Sequence, residues 1–203
     1  LTNVTFDKVD KTRMTAMFSQ QAECVEFERP VDAKGNIEVW LQRLVDGMQD
    51  TIKQVIKRAV RNVQELGLEE FIFGHPAQIA LLGIQFQWTA DTQAALTNAK
   101  TMKNVMNNNM KKVAEILKEM VNITVRTDLT KIQRINLETC ITVHMHQKES
   151  TEELVRRKIK DPTDFEWLKQ VRFYWREDKD TVIISICDVD FEYSYEYLGV
   201  KER

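Results

Sequence analysis

One run of residues limits what this chain can fold into. From Ile37 to Leu66, apolar side chains recur at steps of three and four, through Trp40, Leu44, Met48, Ile52, Val55, Ala59 and Val63. Only a helix gathers such residues on one face. Asn36 stands where a helix cap is wanted, and Gly67 where a helix stops. At 1.5 Å per residue this helix is roughly 45 Å long. Gly47 costs about 1 kcal/mol against Ala in mid-helix. A close helix neighbour and a tolerated defect explain it equally well.

The rest of the chain is read around that rod. Phe71-Ile72-Phe73 reads as a brief extended piece. A second helix starts at His75-Pro76, and from Ile79 to Trp88 it is apolar on nearly every face, so other elements must wrap it. A third is expected over Thr101 to Val125, with a kink or solvated turn at Asn107-Asn108-Asn109. A fourth follows Thr127-Asp128 and ends before Pro162. Its second half, Gln147 to Lys160, is nearly all polar and is expected to face solvent. Long helices joined by short turns pack antiparallel into an elongated body.

Both ends read as strand. Met14, Ala16 and Phe18 alternate with other side chains, and a turn at Ser19-Gln20-Gln21 leads to Glu23 through Phe27, which predicts a short N-terminal β-hairpin. After Asp164 the period drops to two. Phe173 and Trp175 alternate with Arg172, Tyr174 and Arg176, and Thr181 to Ile186 forms a second run across the polar turn 177–180. Phe191, Tyr193, Tyr195 and Tyr197 fall on one face of a third. The fold class is therefore mainly α, with an N-terminal hairpin and a small C-terminal antiparallel β closure. Residues 1–34, 35–160 and 161–203 form its hairpin, rod and closure.

Composition excludes several functions. Of 203 residues, 43% are hydrophobic and 30% charged, so disorder is not the default. A formal charge of −2 gives no field for nucleic acid or an acidic membrane. No apolar run spans a bilayer, and Leu1-Thr2-Asn3-Val4 is no signal peptide. Leu1 in place of an initiator Met reads as an excised piece. Cys24, Cys140 and Cys187 are odd in number and far apart, which fits a reducing compartment.

Few residues of the chain suggest chemistry. No Gly-rich run precedes Lys-Ser/Thr, so no phosphate loop exists. His144 and His146 point to different faces of a helix and cannot share an ion. Cys140 and His144 are four apart and could, but no further ligand is near in sequence, so a packed histidine is the plainer reading. The carboxylate pairs Glu69-Glu70, Glu152-Glu153 and Glu177-Asp178 read as solvated surface. The basic run Arg156-Arg157-Lys158-Lys160 reads as a salt-bridged face balanced by Glu149, Glu152 and Glu153, with a contact site for a partner as the alternative.

Several segments together carry a resemblance. Asn36-Ile37-Glu38-Val39-Trp40-Leu41, Pro76-Ala77-Gln78-Ile79-Ala80-Leu81 and Thr142-Val143-His144-Met145-His146-Gln147 come first. Asp164-Phe165-Glu166-Trp167-Leu168 and the ending Phe191-Glu192-Tyr193-Ser194-Tyr195-Glu196-Tyr197-Leu198-Gly199 follow. In that order they resemble segments of dynein heavy chains, and Tyr-Glu-Tyr-Leu-Gly is the most specific of them. The wording around Pro162 and Asp188 is most similar to axonemal outer-arm heavy chains of the γ type.

The resemblance implies the C-terminal part of the linker, a helical rod that ends just before the first AAA+ module. It bends and straightens over the AAA+ ring of the same heavy chain and so drives a microtubule motor in the axoneme of a cilium or flagellum. It implies no catalytic, cofactor or metal residues in this stretch. ATP and Mg belong to the full motor, and microtubules are met only by distant parts of it. No nucleic acid or membrane partner is implied. The expected structural joint comprises Trp167, Phe173, Trp175, Phe191, Tyr193, Tyr195, Tyr197 and Gly199, fixing the closure to the last helix. The competing readings are a standalone helical scaffold that binds a partner protein and a metal-dependent enzyme at Cys140 and His144.

Overall fold

The computed structural model describes residues 1–200. The last three residues of the 161–203 segment lie outside the described residues. The chain is mainly helical, with an antiparallel three-stranded sheet at each end. The first sheet holds β1 (Asn3–Phe6), β2 (Arg13–Phe18) and β3 (Cys24–Asp32) in that order. It contains the expected hairpin and adds one strand, β1, whose short pattern with Phe6 exposed hid it from a periodicity reading.

The long helix α1 spans Ile37–Glu65. Its middle is buried through Ile52, Ile56 and Ala59, whereas Ile37, Leu41 and Val45 nearer its start are exposed. The apolar stripe is therefore only partly used within the described residues. The neighbour at Gly47 is a strand and not a helix. A Cβ there would lie 2.5 Å from Val31 Cγ2 on β3. Beside this crossing, Thr51 Oγ1 donates to Gly47 O (2.7 Å) and accepts from Glu28 N–H (3.0 Å).

Residues 71–73 are not extended. They lie in α2 (Leu68–Gly74), with Phe71 and Ile72 buried. A short apolar run fits a strand or a buried helix equally well. The overlooked signal is Glu69-Glu70 in the first turn, where carboxylates favour a helix start. Helix α3 (Ala77–Asn98) is wrapped as expected, with Ile79, Leu82, Ile84, Phe86, Trp88 and Leu96 buried.

Helix α4 (Val105–Thr124) begins later than its apolar pattern suggests, and Asn107–Asn109 lie inside it without a break. Asn109 is buried and donates Nδ2–H to Thr92 Oγ1 (3.1 Å), so tertiary pairing outweighs its weak helix propensity. Helix α5 (Lys131–Arg156) opens on a capping box. Thr130 Oγ1 accepts from Gln133 N–H, and Gln133 Oε1 accepts from Thr130 N–H.

The polar end of α5 is not simply solvent-facing. Gln147, Ser150, Thr151 and Leu154 are buried. Trp88 Nε1–H donates to Thr151 Oγ1 (3.0 Å), and Thr151 Oγ1 donates to Gln147 O (2.8 Å). A hydroxyl with its bonds made can sit in a core, and hydropathy alone does not register this. Further along, Glu153 pairs with Arg156 and Arg157, the salt-bridged face that was expected.

The one-turn helix α6 (Phe165–Leu168) is capped by Asp164, which accepts from Glu166 N–H (2.9 Å). The second sheet follows: β4 (Arg172–Arg176), β5 (Thr181–Ile186) and β6 (Val189–Glu192), with β5 central. β4 packs on α3. Asp180, in the turn before β5, accepts from Lys57 and lies 3.4 Å from Lys53, which ties the sheet to α1.

Two apolar cores result. The larger gathers the first sheet, α1, α2, most of α3, the end of α4, the first half of α5 and the second sheet. The smaller joins the far end of α3, α4 and α5 around Trp88, Leu96, Val113, Leu154 and Trp167. The accessible surface is 11912 Å². A compact monomer of this mass exposes roughly 9,900 Å², so this chain leaves more surface open than a compact monomer does.

Candidate functional site

The expected joint proves to be three structures. Trp167 is fully buried, but in the smaller core. Its ring lies 5.3 Å from that of Trp88 at 58°, and Nε1–H donates to Gln93 Oε1 (2.7 Å). Phe173 and Trp175 are half-buried against the larger core. Just before them Val171 is exposed, while the neighbouring Arg172 is buried. The Arg172 guanidinium donates to Cys187 O (2.9 Å) and drags the β5–β6 turn back onto β4. Phe191 is 51% exposed on the edge strand β6, where it pairs with Ile184, and belongs to neither buried core.

The third part is the exit segment, residues 193–199. It is not a continued strand, since β6 ends at Glu192 and Tyr195 sits at φ +56°. Successive tyrosines therefore do not share one strand face. Each is held separately. Tyr195 OH accepts from Val182 N–H (2.9 Å). Tyr193 OH accepts from Gln78 Nε2–H (2.5 Å). Tyr197 is buried, and its OH donates to Glu23 Oε2 (2.9 Å). Burial first, then the Glu23 charge, pushes the Tyr197 phenol well above its ordinary value.

Two side chains absent from the expected set do the fastening. Gln78, in the first turn of α3, donates Nε2–H to Glu196 O (2.8 Å) and accepts Leu198 N–H at Oε1 (3.0 Å). Its amide so copies the pairing of a neighbouring strand. Glu23 is buried just before β3; its Oε1 accepts from Ala77 N–H (2.7 Å) at the head of α3. One carboxylate thus joins the first sheet, α3 and Tyr197. Gly199 closes the clamp at φ +65°, and a Cβ there would lie 2.2 Å from Ser19 Cβ. The sequence carries no local signal for Glu23 or Gln78, because their partners lie 174 and 120 residues away.

The clamp also walls a cleft of about 750 Å³ between α3 and α5, lined by Leu81, Leu82, Ile135, Phe173, Leu198 and Gly199 among others. Nothing in this arrangement presents an activated nucleophile or a general base. It is a fastening.

Cys140 and His144 are both buried on α5, and each is spent on a neighbour. Burial pushes the Cys140 thiol up to about 12. His144 Nε2 lies 3.0 Å from Val113 O on α4, and Nδ1 lies 2.9 Å from the Gln147 side-chain amide. Among the described residues no three His, Cys, Asp or Glu side chains converge as a metal site. Burial lowers the His144 pKa below 6.5, and its hydrogen bonds only partly oppose this. The folded state therefore holds the ring neutral, while the unfolded chain takes up a proton near 6.5. The stability from this site is intact above about pH 6.5 and declines as pH falls. Thermal melts between pH 7.5 and 5 should show that slope, and His144→Leu should flatten it. An equal slope in the variant rules the effect out.

Comparison with known proteins completes the site's context. The family model described as dynein heavy chain, N-terminal region 2, matches residues 1–59. Over all 203 residues the chain is 81% identical to the dynein gamma chain of the flagellar outer arm of Chlamydomonas reinhardtii. It is 42% identical to dynein axonemal heavy chain 5 of Rattus norvegicus over 94% of its length, and 42% identical to axonemal heavy chain 8 of Mus musculus over its full length. The chain spans only 4 to 6% of these relatives. Over its whole length, this chain is dynein heavy-chain sequence.

Proposed function

We propose that this chain is the C-terminal portion of a dynein linker, just before the first AAA+ module. In this reading it passes the ATP-driven changes of the AAA+ ring into the power stroke of a microtubule motor. Its partner is the ring of the same heavy chain, and ATP, Mg and microtubules are handled by other parts of the polypeptide. The names of the relatives support a place in the axoneme of a cilium or flagellum.

One observation carries this reading. The segment leading to the chain's end is fastened through Gln78 and Glu23 to the head of α3 and to the first sheet. Load applied at that end enters the most enclosed helix of the body, whose core packing is tight enough to transmit strain.

The test uses a complete outer-arm heavy chain carrying Gln78→Ala. The change removes a side chain that pairs with Tyr193, Glu196 and Leu198, at a local cost of about 1–3 kcal/mol. Basal ATP turnover should hold while microtubule gliding slows. If turnover and gliding fall in proportion, or neither changes, the exit clamp does not transmit force.

A further inference from the structure

A second cleft, of about 550 Å³, lies at the other end of the body, between the α3–α4 connection with the first turn of α4 (residues 99–107) and the end of α5 with the residues that follow it (155–160). Its lining contains Lys100, Lys103, Lys158 and Lys160 and no carboxylate. Lys100 reaches out of it to Asp161 (2.5 Å). Lys103, Lys158 and Lys160 have no ion-pair partner among the described residues. Two segments some fifty residues apart in sequence thus bring a positive cluster together on a chain whose formal charge is −2. The same lining holds Met106, Val155, Ile159 and the more exposed Met102, so apolar surface and ammonium groups share one cleft.

We propose that this cleft docks an acidic peptide segment that places an apolar side chain between its carboxylates. The cleft offers ammonium point charges, which suit separate carboxylates. It has no Arg fork of the kind that grips phosphate bidentately. No aromatic ring lines it, so bases of a nucleic acid have nothing to stack on. The apolar lining of a cleft suits one inserted side chain better than the flat face of a bilayer. Methionines adapt to such occupants because the side chain is unbranched and polarizable. The site stands apart from the exit clamp, and the proposal does not depend on the linker reading.

The test uses the 203-residue chain and a fluorescent peptide, Glu-Glu-Leu-Glu-Glu-Phe-Glu-Glu, with a copy in which Gln replaces every Glu. Saturable binding of the acidic peptide is expected, weakening with added salt, and none of the Gln copy. Lys103→Glu with Lys158→Glu should weaken binding roughly tenfold at an unchanged melting temperature. Lys111→Glu with Lys118→Glu, exposed on α4 outside the cleft, should leave it intact. Equal loss in both double variants, or none in the first, overturns the proposal. So does lysine-dependent binding of inorganic phosphate or phosphatidylserine vesicles with no binding of the peptide.

Discussion

Trp167→Ala removes about 3–5 kcal/mol of stability, and the damage lies away from the β closure that follows it in sequence. Trp167 is fully buried, stacked obliquely on Trp88 and packed among residues of α3, α4 and α5. Its loss leaves an indole-sized cavity where these helices meet, and Gln93 Oε1 loses its shorter donor, keeping only Tyr174 OH at 3.3 Å. For a chain of this size the melting temperature should fall by roughly 6–20 °C. Hydrogen exchange should quicken around residues 88–98, 105–113 and 147–156. The larger core, with Ile52 and Ile56 of α1, keeps its own contacts and should hold its protection. Trp167→Phe refills most of the volume but lacks the N–H, so it should recover most of the loss. Faster exchange confined to residues 172–199, or spread evenly over the chain, would show that Trp167 does not root the smaller core.

Gly199→Ala releases the exit segment. The residue sits at φ +65°, which costs an L side chain about 1–2 kcal/mol. The new methyl also meets Ser19 at 2.2 Å from Cβ and 3.3 Å from Cα, and such overpacking costs about 1–3 kcal/mol more. The hydrogen bonds of Gln78 and Glu23 to this segment are worth about 0.5–1.5 kcal/mol each, more where the carboxylate takes part. Strain and clasp are therefore comparable, so part of the population should let go.

Tyrosine titration reads the release directly. In the intact clamp, burial holds Tyr193 and Tyr197 above the ordinary phenol value. Stability from both is intact below about pH 10 and is lost as pH rises further. Once the segment is free, they should ionise near pH 10 with ordinary tyrosines, at a pH where the parent chain still resists. Gly199→Asn separates the two causes, because Asn tolerates the left-handed backbone but keeps the clash. Ser19→Gly combined with Gly199→Ala should restore part of the docking by removing the atom that is struck. If Gly199→Ala leaves both the melting temperature and the tyrosine titration unchanged, the close approach to Ser19 does not hold the segment down.

The features legible in the sequence are those set by neighbours within one turn or one hairpin. The stripe from Ile37 to Leu66 predicted α1 nearly to its ends. The wrapped helix after Pro76 and the hairpin of β4 and β5 around turn 177–180 followed from residues at most a few positions apart. Where two structures satisfy the same local pattern, tertiary packing chose. Phe71 and Ile72 became helical against α3, and Asn107–Asn109 continued a helix once Asn109 found Thr92. The polar end of α5 went inside because Thr151 and Ser150 found bonds across to Trp88 and Gln170. The aromatic joint was legible as a composition but not as an assembly. Trp167 and Tyr197 are thirty residues apart and belong to different cores, while Phe191 between them is exposed. Glu23 and Gln78 decide the clamp, yet nothing beside them in the chain marks them. A hydrogen bond across more than one hundred residues leaves no periodicity in either partner's neighbourhood, so only the folded chain could reveal it.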